Sequence, residues 1–411
     1  MIIAGPGEPL GESRESFEEM DRAPSQFAFV AGGNLTSLPP THNHDGIVRS
    51  GSAIGFVSPH PGPKRQAEAE EAKVKIDGAI LVEDPLDAGP TARKLEEVGY
   101  SGGFTFEGRH DPFLPLVVAA QQTERLELVT AIAIAFARNP MILANIGWDL
   151  QLLSRGRFIL GLGTQIRPHI QKRFSMEWSR PAARMKEMVG AIRAIWDCWE
   201  NGSPLDFKGE FYTHTLMTPV FIPEPSPHGA PRIFLSAVGP RMTEVVGEVA
   251  DGFFVHPFHT QEFIQSVTRP NISRGLERSE RSRQDLEISC QLIVAAGNND
   301  EEIAAAKDGA RAQISFYGST PAYRPVLESI GRGDLQDELN FMSKQGKWLE
   351  MAARIDDDLL DQIAVVGHRS EIAGKVRARC EGFADRVSLV APFAPDPDLW
   401  ADIVEELAGP A

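Results

Sequence analysis

The chain has 411 residues, of which 42% belong to the apolar set, and this is enough to bury a substantial core. A formal net charge of −16 and a sequence pI of about 5.2 argue against a general nucleic-acid-binding role, because neutralising phosphates requires a basic surface. Three scattered cysteines without CxxC spacing argue against a disulfide framework and a zinc site, and no apolar run is long enough to span a membrane, so we expect a cytoplasmic protein.

The first 72 residues differ in composition from the rest of the chain. Residues 1–72 are rich in Gly, Pro, Ser and Glu and carry no sustained periodicity, which predicts a mostly disordered extension. A partner-binding tail and an over-long gene model are the alternatives, because residues 74–81 have the pattern of a natural first strand. We therefore expect one folded domain over residues 73–411.

From residue 74 onward, strand and helix patterns alternate. The strand patterns cover residues 74–81, 103–106, 126–136, 158–162, 233–237, 252–256, 286–296 and 386–390. The helical patterns cover residues 91–98, 140–153, 181–199, 240–250, 300–313 and 370–383, several of which open on a proline. Eight strands alternating with helices predict an α/β fold, a (β/α)8 TIM barrel rather than a doubly wound sheet.

The third strand pattern, TAIAIAFARNP at residues 130–140, alternates alanine with larger apolar residues. On a regular strand, Ala131, Ala133, Ala135 and Ala137 would share one face. Such a face either packs closely against a bulky neighbour or forms a low wall, meaning a surface of small side chains against which a planar group can lie.

Two segments exceed a minimal barrel. Residues 209–231 combine a short aromatic strand with five prolines, which indicates an inserted loop or hairpin, and residues 315–348 form a longer insertion after strand 7. Insertions on such barrels commonly lie on the catalytic face. Residues 315–348 could form a lid over the site or a segment that only packs against the barrel. Aromatic residues of this segment suggest a pocket that accepts apolar or aromatic groups, although they could instead simply pack the lid: Phe316, Tyr317, Tyr323 and Trp348.

The segment after strand 2 places ionisable residues where barrel enzymes carry their chemistry. Glu107, Arg109, His110 and Asp111 lie within five residues, and His110 could exchange a proton near neutral pH. The alternative is a capping cluster for a helix that begins at Pro112, with Asp111 as its N-cap.

The segments after strands 4 and 5 are rich in glycine. After strand 4, GLGTQ at residues 161–165 lacks the third glycine of a dinucleotide fingerprint, so its glycines either let backbone approach a ligand or form a tight turn. After strand 5, Gly239, Pro240 and Arg241 leave free backbone N–H groups beside a cation. This pattern favours an anion site suited to a phosphate, with ordinary helix capping as the alternative.

The remaining motifs exclude several reaction classes. His256 and His259 follow strand 6, but no carboxylate accompanies them in a ligand pattern, so no metal site is predicted. The sequence contains no GxSxG elbow and no GKS or GKT loop. It therefore favours neither a hydrolase nucleophile nor an NTPase.

Several of these stretches, taken in order, resemble the luciferase-like monooxygenase superfamily, and most closely its branch that uses the deazaflavin coenzyme F420. They are FARNP, RFILGLGT, PAARMKEMVGAIRAIW, LDFKGEFY and IFLSAVGPRMTEVVGEVADGFFV. The resemblance implies hydride transfer between coenzyme F420 and a small organic substrate. The alternatives are an FMN-dependent monooxygenase that uses molecular oxygen, a metal-dependent barrel hydrolase, and a non-enzymatic member with an empty pocket.

The resemblance also implies roles for individual residues. His110 corresponds to the proposed proton-transfer group, and Glu107 or Asp111 would orient it. Strand 3 is expected to carry a bulge with a non-proline cis peptide behind the deazaflavin, at or next to Thr130-Ala131. Such a bulge would break the strict alternation, so Ala135 and Ala137 need not share the face of Ala131. The predicted cofactor contacts are Arg109, Thr130, Ala131, Ala133, Thr164, Gln165, Val238, Gly239, Pro240 and Arg241.

The sequence departs from the branch member F420-dependent glucose-6-phosphate dehydrogenase in three places. That enzyme has a catalytic glutamate just after the strand-4 glycines, where this chain has Gln165 and Ile166. A cofactor-contacting asparagine corresponds to Pro168, and the sugar-phosphate lysine and arginine have no clear counterparts. Glucose 6-phosphate is therefore not expected as the substrate. We expect a homodimer that acts on a small molecule, without nucleic-acid or membrane partners.

Overall fold

The structure is a computed structural model that describes residues 74–392 and 397–409. The extension predicted for residues 1–72 lies outside the described residues. Within the described part, every helix is too short or too polar to cross a bilayer.

Eight parallel strands close into a barrel, which confirms the predicted fold. In chain order the strands are β1 (Lys75–Ala79), β2 (Gly102–Thr105), β3 (Glu127–Thr130), β4 (Ala133–Ile134), β5 (Phe158–Gly163), β6 (Phe207–Lys208), β7 (Thr213–His214), β8 (Arg232–Ala237), β9 (Gly252–Val255), β10 (Glu287–Gly297), β11 (Ala364–His368) and β12 (Arg386–Val390). Around the barrel the order is β1-β2-β3-β5-β8-β9-β10-β12, and β12 closes the ring by pairing with β1. In this ring β3 and β10 lie opposite each other.

Helices cover the outside of the barrel and bury its strands. They are α1 (Ala88–Val98), α2 (Leu114–Gln122), α3 (Pro140–Leu153), α4 (Pro181–Asn201), α5 (Pro240–Val249), α6 (Gln261–Phe263), α7 (Arg269–Arg278), α8 (Asp300–Gly318), α9 (Arg324–Glu328), α10 (Gly333–Ser343), α11 (Trp348–Ala352), α12 (Asp357–Ile363), α13 (Arg369–Cys380) and α14 (Pro397–Ala408). The sequence predicts where α3, α4 and α5 begin, because a proline in the first turn loses no helical hydrogen bond.

Two strands differ from the sequence prediction. The segment expected as one strand over residues 126–136 is divided into β3, β4 and a 3-10 turn at Ala135–Ala137. The strand β11 was not predicted, and it pairs with the distal half of β10, outside the ring. Because β10 is eleven residues long, its first part belongs to the barrel and its last part extends beyond it.

The two insertions have different structures. Residues 209–231 contain the second strand of the small β6–β7 hairpin, as predicted. The boundary predicted at residue 315 is wrong, because α8 continues to Gly318, and the chain then forms α9, α10 and α11 by Ala352. Aromatic and aliphatic residues of this helical segment form a second hydrophobic cluster that includes Tyr317, Tyr323 and Leu339. Only Tyr317 of these three lines the cavity described below.

The amino ends of the barrel strands carry a buried ion network. Arg386 is 1% exposed and donates to both carboxylate oxygens of Asp77, at 2.6 and 2.8 Å. It also pairs with Glu127 on β3 and Glu287 on β10, and Arg232 on β8 bridges these two carboxylates. Burial alone would raise the pKa of Glu127. The positive charges of Arg386, Arg232 and a lysine have a larger opposite effect, so the pKa is below its ordinary value. This network is at the end of the barrel opposite the predicted chemistry.

Candidate active site

A cavity of about 200 Å³ opens among the carboxyl ends of the barrel strands. Most of its lining is apolar and comes from β1, β2, β9, β12 and the divided third strand. The polar residues that line it are Glu107, Gln165, Ser236, His256, Gln291 and Tyr317. Cavities at this end of a TIM barrel are where such enzymes hold their ligands.

The third strand carries a one-residue bulge beside this cavity. Val129 pairs with Ile159, but Ala133 pairs with Leu162, so this strand uses one residue more than its neighbour. The peptide bond Ala131–Ile132 within the bulge is cis, which confirms the prediction of a cis bond at or next to Thr130-Ala131.

The bulge changes which side chains line the cavity. Ala131, Ile132 and Ile134 line it, whereas Ala133 is fully buried and is not among the lining residues. A one-residue change of register turns the following side chains to the other face. The bulge therefore breaks the strict alternation of the sequence, as the resemblance implies, and the low wall consists of one alanine and two isoleucines.

The glycines of β5 accommodate the bulge rather than a ligand. A Cβ on Gly161 would lie 1.7 Å from the carbonyl oxygen of Thr130, and one on Gly163 would lie 2.7 Å from Ile132. Thr130 is itself fully buried, and its hydroxyl donates to Gly161 O at 2.8 Å and accepts from Gly161 N at 2.9 Å. Thr130 therefore joins the two strands, and it does not line the cavity.

The FARNP segment fixes the end of the bulge. Arg138 donates to Glu107 at 2.6 Å and to Asp111 at 2.8 Å, and also to the carbonyl of Ile134 at 3.2 Å. Glu107 accepts the backbone N–H of Ile134 at 2.7 Å. Asn139 then caps α3 by accepting from Ile142 N. The Glu107 carboxylate, 7% exposed, is thus paired with a cation and a backbone donor.

The loop after β2 does not bring His110 to the cavity. His110 and Arg109 are both exposed, and Arg109 pairs with Glu83 at 2.7 Å. Neither of the two carboxylates predicted to orient His110 contacts it, because both bind Arg138. Asp111 is not a helix N-cap either, since it accepts from Phe113 N one residue before α2 begins.

The loop after β5 contributes one polar cavity residue. Thr164 is fully buried, and its hydroxyl donates to the carbonyl of Gln165 at 3.1 Å. Gln165 has a left-handed backbone (φ 58°), accepts from Ile166 N through its side chain, and lines the cavity. The position that carries a catalytic glutamate in the sugar dehydrogenase therefore presents a neutral amide here.

The turn after β8 has the form expected of an anion site. Gly239 precedes α5 in an extended conformation without a side-chain cap, and a Cβ placed on it would meet nothing within 4 Å. Pro240 and Arg241 are exposed, while Val238 is buried. The first turn of a helix leaves backbone N–H groups without intrahelical partners, and here the space at Gly239 is open and Arg241 follows two residues later.

Two histidines after β9 are buried and neutral. Nδ1 of His256 accepts from Phe258 N at 3.1 Å, and Nδ1 of His259 donates to the carbonyl of His256 at 2.7 Å. Burial lowers the pKa of His256 well below its ordinary value and lowers that of His259 to about 4. Nε2 of His259 lies 3.6 Å from the Cys290 thiol, whose pKa burial raises. Among the described residues, no group of three histidine, cysteine or carboxylate side chains could hold a metal.

The sequence did not single out several residues of the cavity wall, among them Ser236, Gln291 and Leu389. Each lies near the middle or end of a barrel strand, where the apolar pattern gives no sign of the inward face. The alternate positions of β10 and β12 that face the barrel interior could have indicated Gln291 and Leu389.

A family model described as luciferase-like monooxygenase matches residues 55–386. Uncharacterized protein Rv1360 of Mycobacterium tuberculosis is 56% identical over 315 residues, which are 77% of this chain and 92% of the relative. A putative coenzyme F420-dependent oxidoreductase of the same organism, Rv3520c, is 26% identical over 291 residues, 66% of this chain and 81% of the relative.

Solved structures share the barrel. The coenzyme F420-dependent tetrahydromethanopterin reductase from Methanopyrus kandleri superposes with a TM-score of 0.67 at 18% identity, covering 82% of this chain and 98% of that one. A long-chain alkane monooxygenase superposes with a TM-score of 0.59 at 14% identity, covering 82% and 90%. At these identities the likeness establishes the fold alone. The family model spans most of the chain, and the protein therefore belongs to the luciferase-like monooxygenase family.

Proposed function

We propose that the protein is a coenzyme F420-dependent oxidoreductase that transfers a hydride between the deazaflavin and a small organic substrate. The observation that carries this proposal is the pairing of two features at one end of the barrel. A bulged, apolar wall lines the cavity, and an uncapped helix start lies at the same end, two strands away. A flat ring with a phosphate-bearing tail matches this combination.

The wall fits an aromatic ring system. Ala131, Ile132 and Ile134 offer apolar contact beside the backbone of the bulge, and Phe104 and Phe254 line the same cavity. Burial of apolar ring surface against such a wall is favourable. When bound, coenzyme F420 supplies the ring carbon that accepts or donates the hydride.

The helix start fits the phosphate of the tail. The open space at Gly239 admits an anion close to the backbone, and Arg241 is exposed beside it. Backbone N–H groups and the helix dipole both favour negative charge at this position.

The chain's own residues would position the deazaflavin ring and transfer a proton to or from the substrate. Glu107 and Arg138 hold the backbone of Ile134 and so fix the wall. His110, three residues beyond Glu107 on an exposed loop, is proposed to exchange a proton with the substrate oxygen through an imidazole nitrogen. Catalytic contacts often tighten only in the complex, so the exposed position of His110 in the ligand-free chain is compatible with this role.

The names of relatives support F420 rather than FMN. Rv3520c and the Methanopyrus reductase are both named as F420-dependent. The second candidate is an FMN-dependent monooxygenase, favoured by the fold shared with the alkane monooxygenase. Both cofactors carry a phosphate, so the helix start fits either one.

The test is a titration of the purified full-length chain with oxidised F420 and with FMN, followed by fluorescence. We expect saturable F420 binding, weakened about tenfold by Arg241→Gln, because a charge-assisted contact is lost. The matched control is Arg155→Gln, since Arg155 is exposed at the amino end of β5. Tight FMN binding without any response to F420 would refute the proposal.

A second variant tests the proton-transfer role. His110→Asn should leave F420 binding unchanged and lower the rate of F420 reduction or oxidation with any substrate that turns over. Undiminished turnover in His110→Asn would remove His110 from the mechanism while leaving the cofactor assignment intact.

A further inference from the structure

One wall of the cavity presents polar groups that form no hydrogen bond with any of the described residues. Tyr317, on α8, lines the cavity and is 3% exposed, yet its hydroxyl has no hydrogen-bond partner in the described part of the chain. The side-chain amide of Gln291, on β10, lines the same cavity and is also without a partner among the described residues. Buried polar groups are normally paired, so an unpaired hydroxyl facing a cavity indicates a ligand contact.

Aromatic contacts hold the ring of Tyr317 in place, although its hydroxyl has no hydrogen-bond partner among the described residues. Its centroid lies 4.8 Å from that of His256, 6.2 Å from that of Tyr323 and 6.3 Å from that of Phe258, all in edge-to-face arrangements. Such contacts fix the plane of the ring. The hydroxyl is therefore presented in one direction before any ligand arrives.

The neighbouring histidine is already engaged and does not compete for this role. Nδ1 of His256 accepts a backbone hydrogen, so its proton is on Nε2, which lies 3.0 Å from the Tyr323 hydroxyl. Burial raises the pKa of Tyr317, so its hydroxyl keeps its proton and acts as a donor. Of the two tyrosines in this aromatic group, Tyr317 is the one that lines the cavity.

The position of Tyr317 assigns it to the substrate side of the cavity. Gln291 lies on β10, Tyr317 follows on α8, and β10 lies opposite β3 in the ring of strands. If the cofactor ring rests on the bulge after β3, as in the proposed function on which this inference rests, the opposite wall faces the substrate.

The charge of the cavity restricts the ligand class. None of its lining residues is a lysine or an arginine in the described chain, and its one carboxylate, Glu107, is paired with Arg138. A phosphorylated or carboxylated substrate would find no counter-charge there, and burying it unpaired would be costly. A neutral molecule needs no counter-charge, and on this wall it would meet apolar surface and the polar groups of Tyr317 and Gln291.

We propose that Tyr317 is a substrate-binding residue whose hydroxyl donates a hydrogen bond to an acceptor oxygen of an uncharged, mainly apolar substrate. Gln291 lies on the same wall and completes the polar part of this subsite. The subsite makes the enzyme selective for neutral carbonyl or hydroxyl compounds over sugar phosphates and carboxylic acids.

The test compares two probes of the same shape, acetophenone and α-methylstyrene, in which a CH2 group replaces the carbonyl oxygen. Their dissociation constants are measured by ligand-observed NMR on the full-length protein, without cofactor and with saturating F420. The wild type should prefer acetophenone by about three- to tenfold, and Tyr317→Phe should abolish this preference. Tyr212→Phe is the matched control, because the Tyr212 hydroxyl bonds to Arg184 outside the cavity, and it should retain the preference.

Each other outcome would overturn the assignment. A preference retained in Tyr317→Phe removes the hydroxyl from binding, and competition between F420 and acetophenone would make this wall part of the cofactor site. Failure of both probes to bind would refute the neutral ligand class.

A second readout needs no variant. The carbonyl stretch of 13C-labelled acetophenone should move to lower frequency on binding, and an unshifted band contradicts the proposal. Lack of F420 binding alone would refute only the proposed function, because the preference without cofactor is measured separately.

Discussion

Substitution of Gly161 by alanine should destabilise the barrel far more than its single methyl group suggests. The added Cβ would lie 1.7 Å from the carbonyl oxygen of Thr130 and 2.7 Å from the ring of Phe254, where 3.0 Å is the lower limit of real Cβ contacts. Overpacking against adaptable side chains costs typically 1–3 kcal/mol. Here the nearest atom belongs to the backbone of the bulge, so we expect a loss of about 3 kcal/mol or more.

The control is a second glycine-to-alanine change, which we expect to raise the free energy of unfolding instead of lowering it. Gly374 lies within α13, is exposed, and an added Cβ would meet nothing within 4 Å. Because glycine is a poor helix former, Gly374→Ala should stabilise by roughly 0.5–1 kcal/mol. Urea unfolding followed by tryptophan fluorescence and circular dichroism gives the midpoints of both variants. Equal urea midpoints for the two variants would refute this reasoning, because they would show that the bulge can move away from β5 and make room for the added methyl group.

Three further predictions concern buried ionisable groups. Arg386→Met should cost about 3–5 kcal/mol in urea unfolding, because it leaves Asp77 and Glu127 buried without their main counter-charge. The free energy of unfolding of the wild type should fall by up to about 3 kcal/mol as the pH drops from 6.5 to 4. His259 binds a proton in the unfolded chain over this range but not in the folded chain, where its pKa is lowered to about 4. Thermal melts of His259→Gln should depend less steeply on pH than those of the wild type, and an unchanged slope would contradict this. Cys290 should resist iodoacetamide at pH 8 in the native protein and react after unfolding, since burial raises its pKa; rapid native labelling, read by mass spectrometry, would show that its site opens.

The barrel could be predicted because its signals are local. Each ring strand is a short apolar run, and α3, α4 and α5 begin at prolines that occupy the first helical position. The β11 strand escaped prediction because it pairs only with the end of β10, far away in the chain, and two of its residues are glycine and histidine.

The candidate site was predicted less completely, because it depends on long-range contacts. The resemblance implies a bulge in this strand, but the alternation within TAIAIAF does not show where the extra residue lies. The pairing with β5 places it between Val129 and Ala133. Glu107 was expected to serve His110, yet it pairs with Arg138, thirty-one residues later. The sequence indicates Tyr317 as one of four aromatic residues at the pocket, but it does not show that Tyr317 lines the cavity while Tyr323 does not, since this depends on how α8 packs.

The two walls of the cavity belong to two separately packed cores. Ile132 and Ile134 are embedded in the hydrophobic core of the barrel, whereas Tyr317 is embedded in the second cluster built by the helices after β10. Mutations that repack the helical cluster can reshape one wall while the bulge opposite keeps its geometry. Substitutions in the helical cluster could therefore alter the shape of the cavity at Tyr317 without moving the bulge that holds Ile132 and Ile134.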